Sequence, residues 1–166
     1  MAVIRRPMTP RGFMLLKQEL KRIREHDKPA NVRAIEEARA HGDLSENAEY
    51  KYAKEQQSFI VGREKEVESL IATAEVIDPE TLSGERIVFG ATCHLLDIDT
   101  DEEVVYTLVG ENESDGAKGR ISVVSPLARA LIGKRVGEEV NFNAPKCPRQ
   151  FEVLGVQFLS TDTWEV

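Results

Sequence analysis

The stretch Arg39-Ala40-His41-Gly42-Asp43-Leu44-Ser45-Glu46-Asn47-Ala48 separates two long runs of helix-forming residues, and its brevity decides the fold. Upstream, Phe13, Leu16, Leu20 and Ile23 fall at steps of three, four and three, the spacing of one helix stripe, and Val32, Ile35 and Ala38 continue as a second series. Thr9 is a natural N-cap with Pro10 at the first helical position, and Pro29 predicts a bend or change of register. His41-Gly42 ends the run, because Gly accepts the left-handed C′ position and His suits the negative helix end. A second helix is predicted from about Leu44 to Ala74, with Phe59, Ile60, Val67, Leu70, Ile71 and Ala74 as its apolar side. Two helices joined by so short a turn must run antiparallel, as a hairpin roughly 45 Å long at 1.5 Å rise per residue. With small residues such as Ala30, Ala34 and Ala38 opposite Ala48 and Ala53, the hairpin buries too little to be a core, so it is expected to be an arm with residues 41–47 at its tip.

Outward from this hairpin the composition changes. Residues 1–40 carry ten Lys/Arg and five Asp/Glu, residues 41–78 four and nine, and residues 79–166 eight and fifteen. The two helical blocks are thus oppositely charged, which favours their pairing. The third block has short Val/Ile/Leu/Phe runs broken by Gly, Asn and Asp, a β pattern. Strands are predicted near 87–88, 91–97, 104–109, 120–123, 139–142 and 151–159, with one short helix over 126–132 capped by Ser125 and opened by Pro126. The fold class is therefore α+β: an antiparallel two-helix coiled coil over 1–78, then a β-sheet domain over 79–166.

A net charge of -7 and a pI near 5.1 argue against diffuse attraction to bare nucleic acid or to an anionic membrane. No apolar run approaches a membrane span, and the first residues lack the apolar core of a signal peptide, so a cytoplasmic protein is expected. Cys93 and Cys147 form no closely spaced pair and read as free thiols, and the adjacent Cys93 and His94 would face opposite sides of a strand.

The tip holds the chemistry. Asp43 and Glu46 stand three apart at a predicted helix start, and two readings compete. In one they form a capping box, Asp43 accepting from a free backbone amide and Glu46 reaching back, worth about 1 kcal/mol. In the other they are exposed carboxylates offered to a divalent cation such as Mg²⁺. Two carboxylates hold Mg²⁺ weakly unless another macromolecule completes the shell, so this geometry suits donation of ligands to a partner's active site.

The stretch from Glu36 to Tyr50 followed by Lys54-Glu55-Gln56-Gln57 resembles the tip segment of the bacterial transcript cleavage factors, the Gre family, in its GreA-like branch. The similarity continues through Val76-Ile77-Asp78, Val88-Phe89-Gly90-Ala91-Thr92, Tyr106-Thr107-Leu108-Val109-Gly110 and the run from Ile121 to Gly133, so it spans nearly the whole chain. It implies an FKBP-like sheet in the C-terminal domain. It further implies a factor that binds RNA polymerase at the secondary channel, inserts the coiled coil, and stimulates the polymerase to cut the 3′ end of backtracked nascent RNA. Asp43 and Glu46 would then be the catalytic and metal-binding pair, acting on Mg²⁺ shared with the polymerase, while the factor holds no cofactor and no nuclease activity of its own. Two-metal phosphoryl transfer needs cations roughly 4 Å apart, and extra carboxylates help hold the second. By the same resemblance Arg39, Lys51 and Lys54 lie near the RNA 3′ end, and Ser125 and Pro126 lie in the loop that meets the polymerase. Lys54 stands where the resemblance suggests Arg, and an ammonium lacks the bidentate grip of a guanidinium. Ordinary solvated helix charges remain the alternative for all three cations. No membrane partner is implied, and a monomer is expected.

Three rivals follow from the same residues. An inhibitory Gre-like factor would carry a more acidic tip than Asp43 and Glu46 provide. A peptidyl-prolyl isomerase or chaperone would need clustered aromatics, yet Phe89 and Phe158 already read as core. An autonomous nuclease would need more ligands than one carboxylate pair on an exposed turn.

Overall fold

The structure is a computed structural model that describes residues 4–42 and 46–164. Its contacts group them into two compact units: Met14–Thr73, and the residues up to Phe13 together with those from Ala74 onward. The chain therefore divides differently from a cut at residue 78, since its first strand and the first turn of its first helix belong with the sheet.

The helical unit is built from α1 (Pro10–Arg22, its first turn lying in the other unit), α2 (Lys28–Ala40) and α3 (Ala48–Ala72). Between α1 and α2 the helix widens into a π turn, Ile23–Asp27, in which the Lys28 N–H donates to Ile23 O. Pro29 explains it: a proline in a regular helix removes one bond and crowds the carbonyl four residues back, and the wider turn relieves that crowding. The seam between the legs buries Leu16, Ile23, Asn31, Ile35 and Ala38 with Ala53, Val67 and Leu70. Ala53 and Val67 lie on one heptad line, whereas Phe59 is a third of a turn off it and is 73% exposed. Val32, Ala30, Ala34 and Ala48, expected at the seam, are exposed as well. The buried Asn31 is satisfied by donating from Nδ2 to Ala53 O at 2.9 Å. Outside the seam Arg63 grips Glu19 with two bonds of 2.7 and 2.9 Å, Lys28 reaches Glu64 at 2.8 Å, and Arg24 bridges Glu64 and Glu68. These pairs hold the carboxyls of Glu19 and Glu64 below the usual carboxylate range, through the Arg63 hydrogen bonds on the first and the Lys28 and Arg24 hydrogen bonds on the second.

In the second unit β1 (Arg6–Met8) pairs in parallel with β2 (Ala74–Val76), in the register Arg6↔Ala74. Parallel neighbours cannot be joined by a tight turn, and here the whole helical hairpin is the crossover. This pairing also stops α3 at Ala72, short of the predicted Ala74, with Thr73 closing its last turn onto Ser69 O. The root of α1 is fastened by one carboxylate. Glu113 accepts from the Thr9 N–H at 3.0 Å, the Gly110 N–H at 2.9 Å and the Thr9 hydroxyl. Thr9 Oγ1 in turn accepts from the Gly12 N–H at 3.1 Å, so Thr9 caps α1 while fully buried.

The main sheet runs β5-β4-β3-β7-β6, from β3 (Thr92–Asp97), β4 (Glu102–Val109), β5 (Arg120–Ser122), β6 (Glu139–Asn143) and β7 (Pro148–Gln157). All neighbours are antiparallel except β4 and β5. One face carries Cys93, Leu95, Leu108, Val140, Phe151 and Val153 against Ala128 and Leu131 of α4 (Pro126–Leu131). Burial pushes the Cys93 thiol up to about 12, and His94 faces away, 3.3 Å from Gln157. The strand predicted at 87–88 is not a strand. Ile87 is buried and exchanges bonds of 2.8 Å with the 133–134 turn, but only Arg86 and Arg135 form a β-bridge there.

Candidate functional site

Helix α2 ends at Ala40 with His41 as its C-cap, whose N–H closes on Ala38 O at 3.2 Å, and Gly42 follows at φ +123°. That conformation strongly favours glycine, which accounts for the stop. Asp43, the first of the two candidate catalytic and metal-binding acids, lies outside the described residues, as do Leu44 and Ser45. Glu46, the second, is exposed in the turn that precedes α3.

The start of α3 differs from the sequence reading in a way that bears on both acids. The helix is expected from about Leu44, and in the capping-box reading, one of the two left open, Asp43 is its cap and Glu46 reciprocates. It begins at Ala48 instead, and its N-cap is Asn47, whose Oδ1 accepts from the Tyr50 N–H at 3.1 Å. Glu46 therefore sits before the cap, outside the position from which a capping-box carboxylate reaches back. The same Asn47 donates from Nδ2 to Ala38 O at 2.6 Å, so one carboxamide closes the end of α2 and the start of α3 together. Nothing in the local pattern singled out Asn47. Its partner Ala38 lies across the turn on the other leg, and Asp43 is equally eligible as a cap.

The basic candidates are placed as follows. Arg39, in the last turn of α2, lies over the Tyr50 ring with Cζ 5.9 Å from the centroid, a cation–π contact across the legs. Lys51 is exposed on the first turn of α3, and Lys54, one turn on, is exposed with its Nζ 2.8 Å from Gln57 Oε1. His41, Glu46, Asn47, Ala48 and Glu49 border one shallow surface depression. Among the described residues no group of three or more His, Cys, Asp or Glu side chains could hold a metal ion. Ser125 and Pro126 lie in the sheet unit rather than with the tip residues. Ser125 caps α4 by accepting from the Ala128 N–H at 3.3 Å, and Pro126 opens that helix, exposed beside Val124. No helix among the described residues is long and apolar enough to cross a membrane.

Comparison with known proteins covers both units. Residues 6–76 match the family model "Transcription elongation factor, N-terminal", and residues 82–158 match "Transcription elongation factor, GreA/GreB, C-term". The chain is 55% identical over 153 residues to the transcription elongation factor GreA of Brucella anthropi, covering 92% of this chain and 98% of the relative. It is 54% identical over 153 residues to that of Brucella canis, with the same coverage. Among solved structures, the transcription factor Gfh1 aligns over 93% of this chain and 99% of its own, at 26% identity and a TM-score of 0.45. GreA/GreB from Nitrosomonas europaea aligns over 58% and 80%, at 28% identity and a TM-score of 0.42. Two family models in chain order, spanning both units, and relatives above half identity over nine-tenths of the sequence settle the assignment: the chain belongs to the GreA/GreB family of transcription elongation factors.

Proposed function

We propose that this elongation factor works as a cytoplasmic monomer that binds RNA polymerase at its secondary channel and stimulates the polymerase to cleave the 3′ end of backtracked nascent RNA. Asp43 and Glu46 are the residues delivered to the polymerase Mg²⁺ site, and the sheet unit, through the loop at Ser125 and Pro126, is the anchor. The observation that carries this reading is the place of Glu46. With capping of α3 assigned to Asn47, the exposed Glu46 carboxylate has no part in starting the helix and is available to a partner.

Carboxylate oxygens suit Mg²⁺, and a pair of them leaves most of an octahedral shell to water or to other ligands. Asp43 and Glu46 would hold the ion jointly with the polymerase, and the bound ion would supply charge stabilisation and an activated water for phosphoryl transfer. The chain's own contribution is to present two negative ligands, of which Glu46 takes no part in capping α3. Arg39, Lys51 and Lys54 supply positive charge on the flanks, where a backtracked RNA 3′ end would pass, and Lys51 and Lys54 have the exposure such a contact needs. On this reading the protein is no nuclease itself; it completes the polymerase's.

The test is a cleavage assay on stalled, backtracked elongation complexes with Asp43→Asn and Glu46→Gln. Each removes a charge and keeps a hydrogen-bonding side chain of the same shape. Both variants should still compete for polymerase and melt within a few degrees of the unchanged protein, yet lose at least about tenfold in stimulated cleavage, equivalent to about 1.4 kcal/mol of barrier. Raised Mg²⁺ should restore part of the rate by mass action. Unchanged cleavage in both variants overturns the assignment.

A further inference from the structure

We infer that Asn47 is a positioning residue for the tip: its carboxamide locks the two ends of the tip segment together and so fixes where the neighbouring Glu46 is presented. The inference rests on the cleavage reading above and adds to it a residue that touches neither metal nor RNA. It stands on two hydrogen bonds made by one side chain. Oδ1 accepts from the Tyr50 N–H at 3.1 Å, and Nδ2 donates to Ala38 O at 2.6 Å. The orientation of the amide is fixed by its partners, since a backbone N–H only donates and a carbonyl only accepts.

The two bonds do different work. The first is an ordinary N-cap, which Ser or Asp performs about as well as Asn. The second is not available to either. Ser is too short to bridge, and Asp presents an acceptor to an acceptor. Ala38 O lies in the last turn of α2, where carbonyls lack helical partners, and it already accepts from the His41 N–H at 3.2 Å. The Asn47 bond uses its second lone pair. The clamp ties Ala38 to Asn47, with Glu46 immediately before it. Without the bridge, Asn47 would still start α3, but the exit of α2 and the entry of α3 would keep only the loose Arg39–Tyr50 ring contact at 5.9 Å and the packing of Ala38 and Ala53, neither of which is directional. Since a positional error near 1 Å in a group serving a reaction can cost about a hundredfold in rate, a looser clamp has kinetic consequences that a thermal melt would not register.

The experiment uses the full-length protein with Asn47→Ser, Asn47→Asp and, as reference, Glu46→Gln. Both Asn47 variants keep a cap and lose the bridge. In factor titrations against backtracked elongation complexes, the maximal cleavage rate should fall about five- to tenfold in each, while the half-saturating factor concentration stays within about twofold. A purely structural role moves the second quantity or the helix content by circular dichroism, and either result overturns the inference. Independently of activity, nuclear magnetic resonance of the unchanged protein should show an Asn47 side-chain amide proton protected from exchange with solvent, and a freely exchanging amide overturns the bridge itself. Should Glu46→Gln cleave normally, the place of Glu46 in the cleavage reading fails, and with it the reason to position it. Should Glu46→Gln lose cleavage while Asn47→Ser and Asn47→Asp keep the maximal rate, only the role of Asn47 fails.

Discussion

Replacing Gly12 by Ala should destabilise the sheet unit, although Gly12 is helical and the same change at a helix interior position normally stabilises by up to about 1 kcal/mol. The reason is the Glu113 carboxylate. A Cβ on Gly12 would lie 2.8 Å from Glu113 Cγ and nearer still to its Cδ and Oε1. The atoms met belong to the end of a flexible side chain, so the cost is not the collision but what Glu113 gives up by moving. Its oxygens accept from the Thr9 N–H, the Thr9 hydroxyl and the Gly110 N–H, and Thr9 is fully buried, so water cannot replace the lost acceptor. Hydrogen bonds to a charged group contribute about 1.5–3 kcal/mol each. Losing the two from Thr9 costs roughly 3 kcal/mol or more, which outweighs the helix gain and leaves about 2 kcal/mol of net destabilisation. Trp164, the single tryptophan, lies over Arg120 in the sheet unit with the Arg120 Cζ 4.1 Å from the indole, so its fluorescence reports this unit during urea unfolding. The control is the same change in a Glu113→Ala background, where nothing is left to displace and Gly12→Ala should become neutral or stabilising. A Gly12→Ala protein with an unchanged or raised urea midpoint in the otherwise natural sequence would refute the reasoning.

Two further outcomes follow from the ionisable groups. The native chain should show one reactive thiol at pH 8, from the exposed Cys147, while Cys93, buried and pushed up to about 12, stays silent until denaturant is added; two equally fast thiols in a disulfide-exchange assay would contradict the core placement. Glu19 and Glu64 have native carboxyls below their ordinary 4.5, so the stability they add is fully present above that value and is lost as pH falls through the lower native values. Circular dichroism of the full-length protein should accordingly show helix loss on acidification below about 4.5, and this acid sensitivity should shrink in Glu19→Gln; helix content indifferent to acid would exclude these pairs as a support.

The helices were legible because their apolar spacing is sustained over many residues, and the stop at Gly42 and the irregular turn before Pro29 have local steric causes. What stayed hidden has non-local causes. Three-residue strands carry no periodicity, so β1 and β2 are found only by the partner each meets across the entire hairpin. Ile87 looks like a strand because it is apolar and extended, yet the turn at 133–134 satisfies its backbone without building a ladder. At the tip, Asp43 followed by Glu46 matches the local signature of a capping box, and Asn47 matches that of a cap alone. Asn47 also reaches Ala38 O on the other leg, a bond across the turn that the local signature of a cap does not register. The acids themselves were visible as a pair; that Glu46 has no part in starting the helix was not.

The hairpin changes character along its length, and the change bears on how a tip can be both thin and fixed. One end of the seam is closed by Leu16 and Ile23 with Val67 and Leu70, side chains large enough to bury apolar area at about 25 cal/mol/Å². Toward the tip the buried residues become Asn31, Ile35, Ala38 and Ala53, and alanine methyl groups contribute little area. The ion pairs linking the legs, at Glu19, Arg24, Lys28 and Arg63, do not compensate, since they lie toward the first end. Near the tip the legs are tied instead by two asparagines: Asn31 to Ala53 O, then Asn47 to Ala38 O. A carboxamide delivers a directional bond in less volume than a leucine, so it can hold two helices closely where apolar packing would need bulk. On the proposed reading, in which the tip enters the polymerase channel, hydrogen bonds suit an end that must stay narrow, and they make the geometry at Glu46 depend on bonds that single substitutions can remove without unfolding the chain.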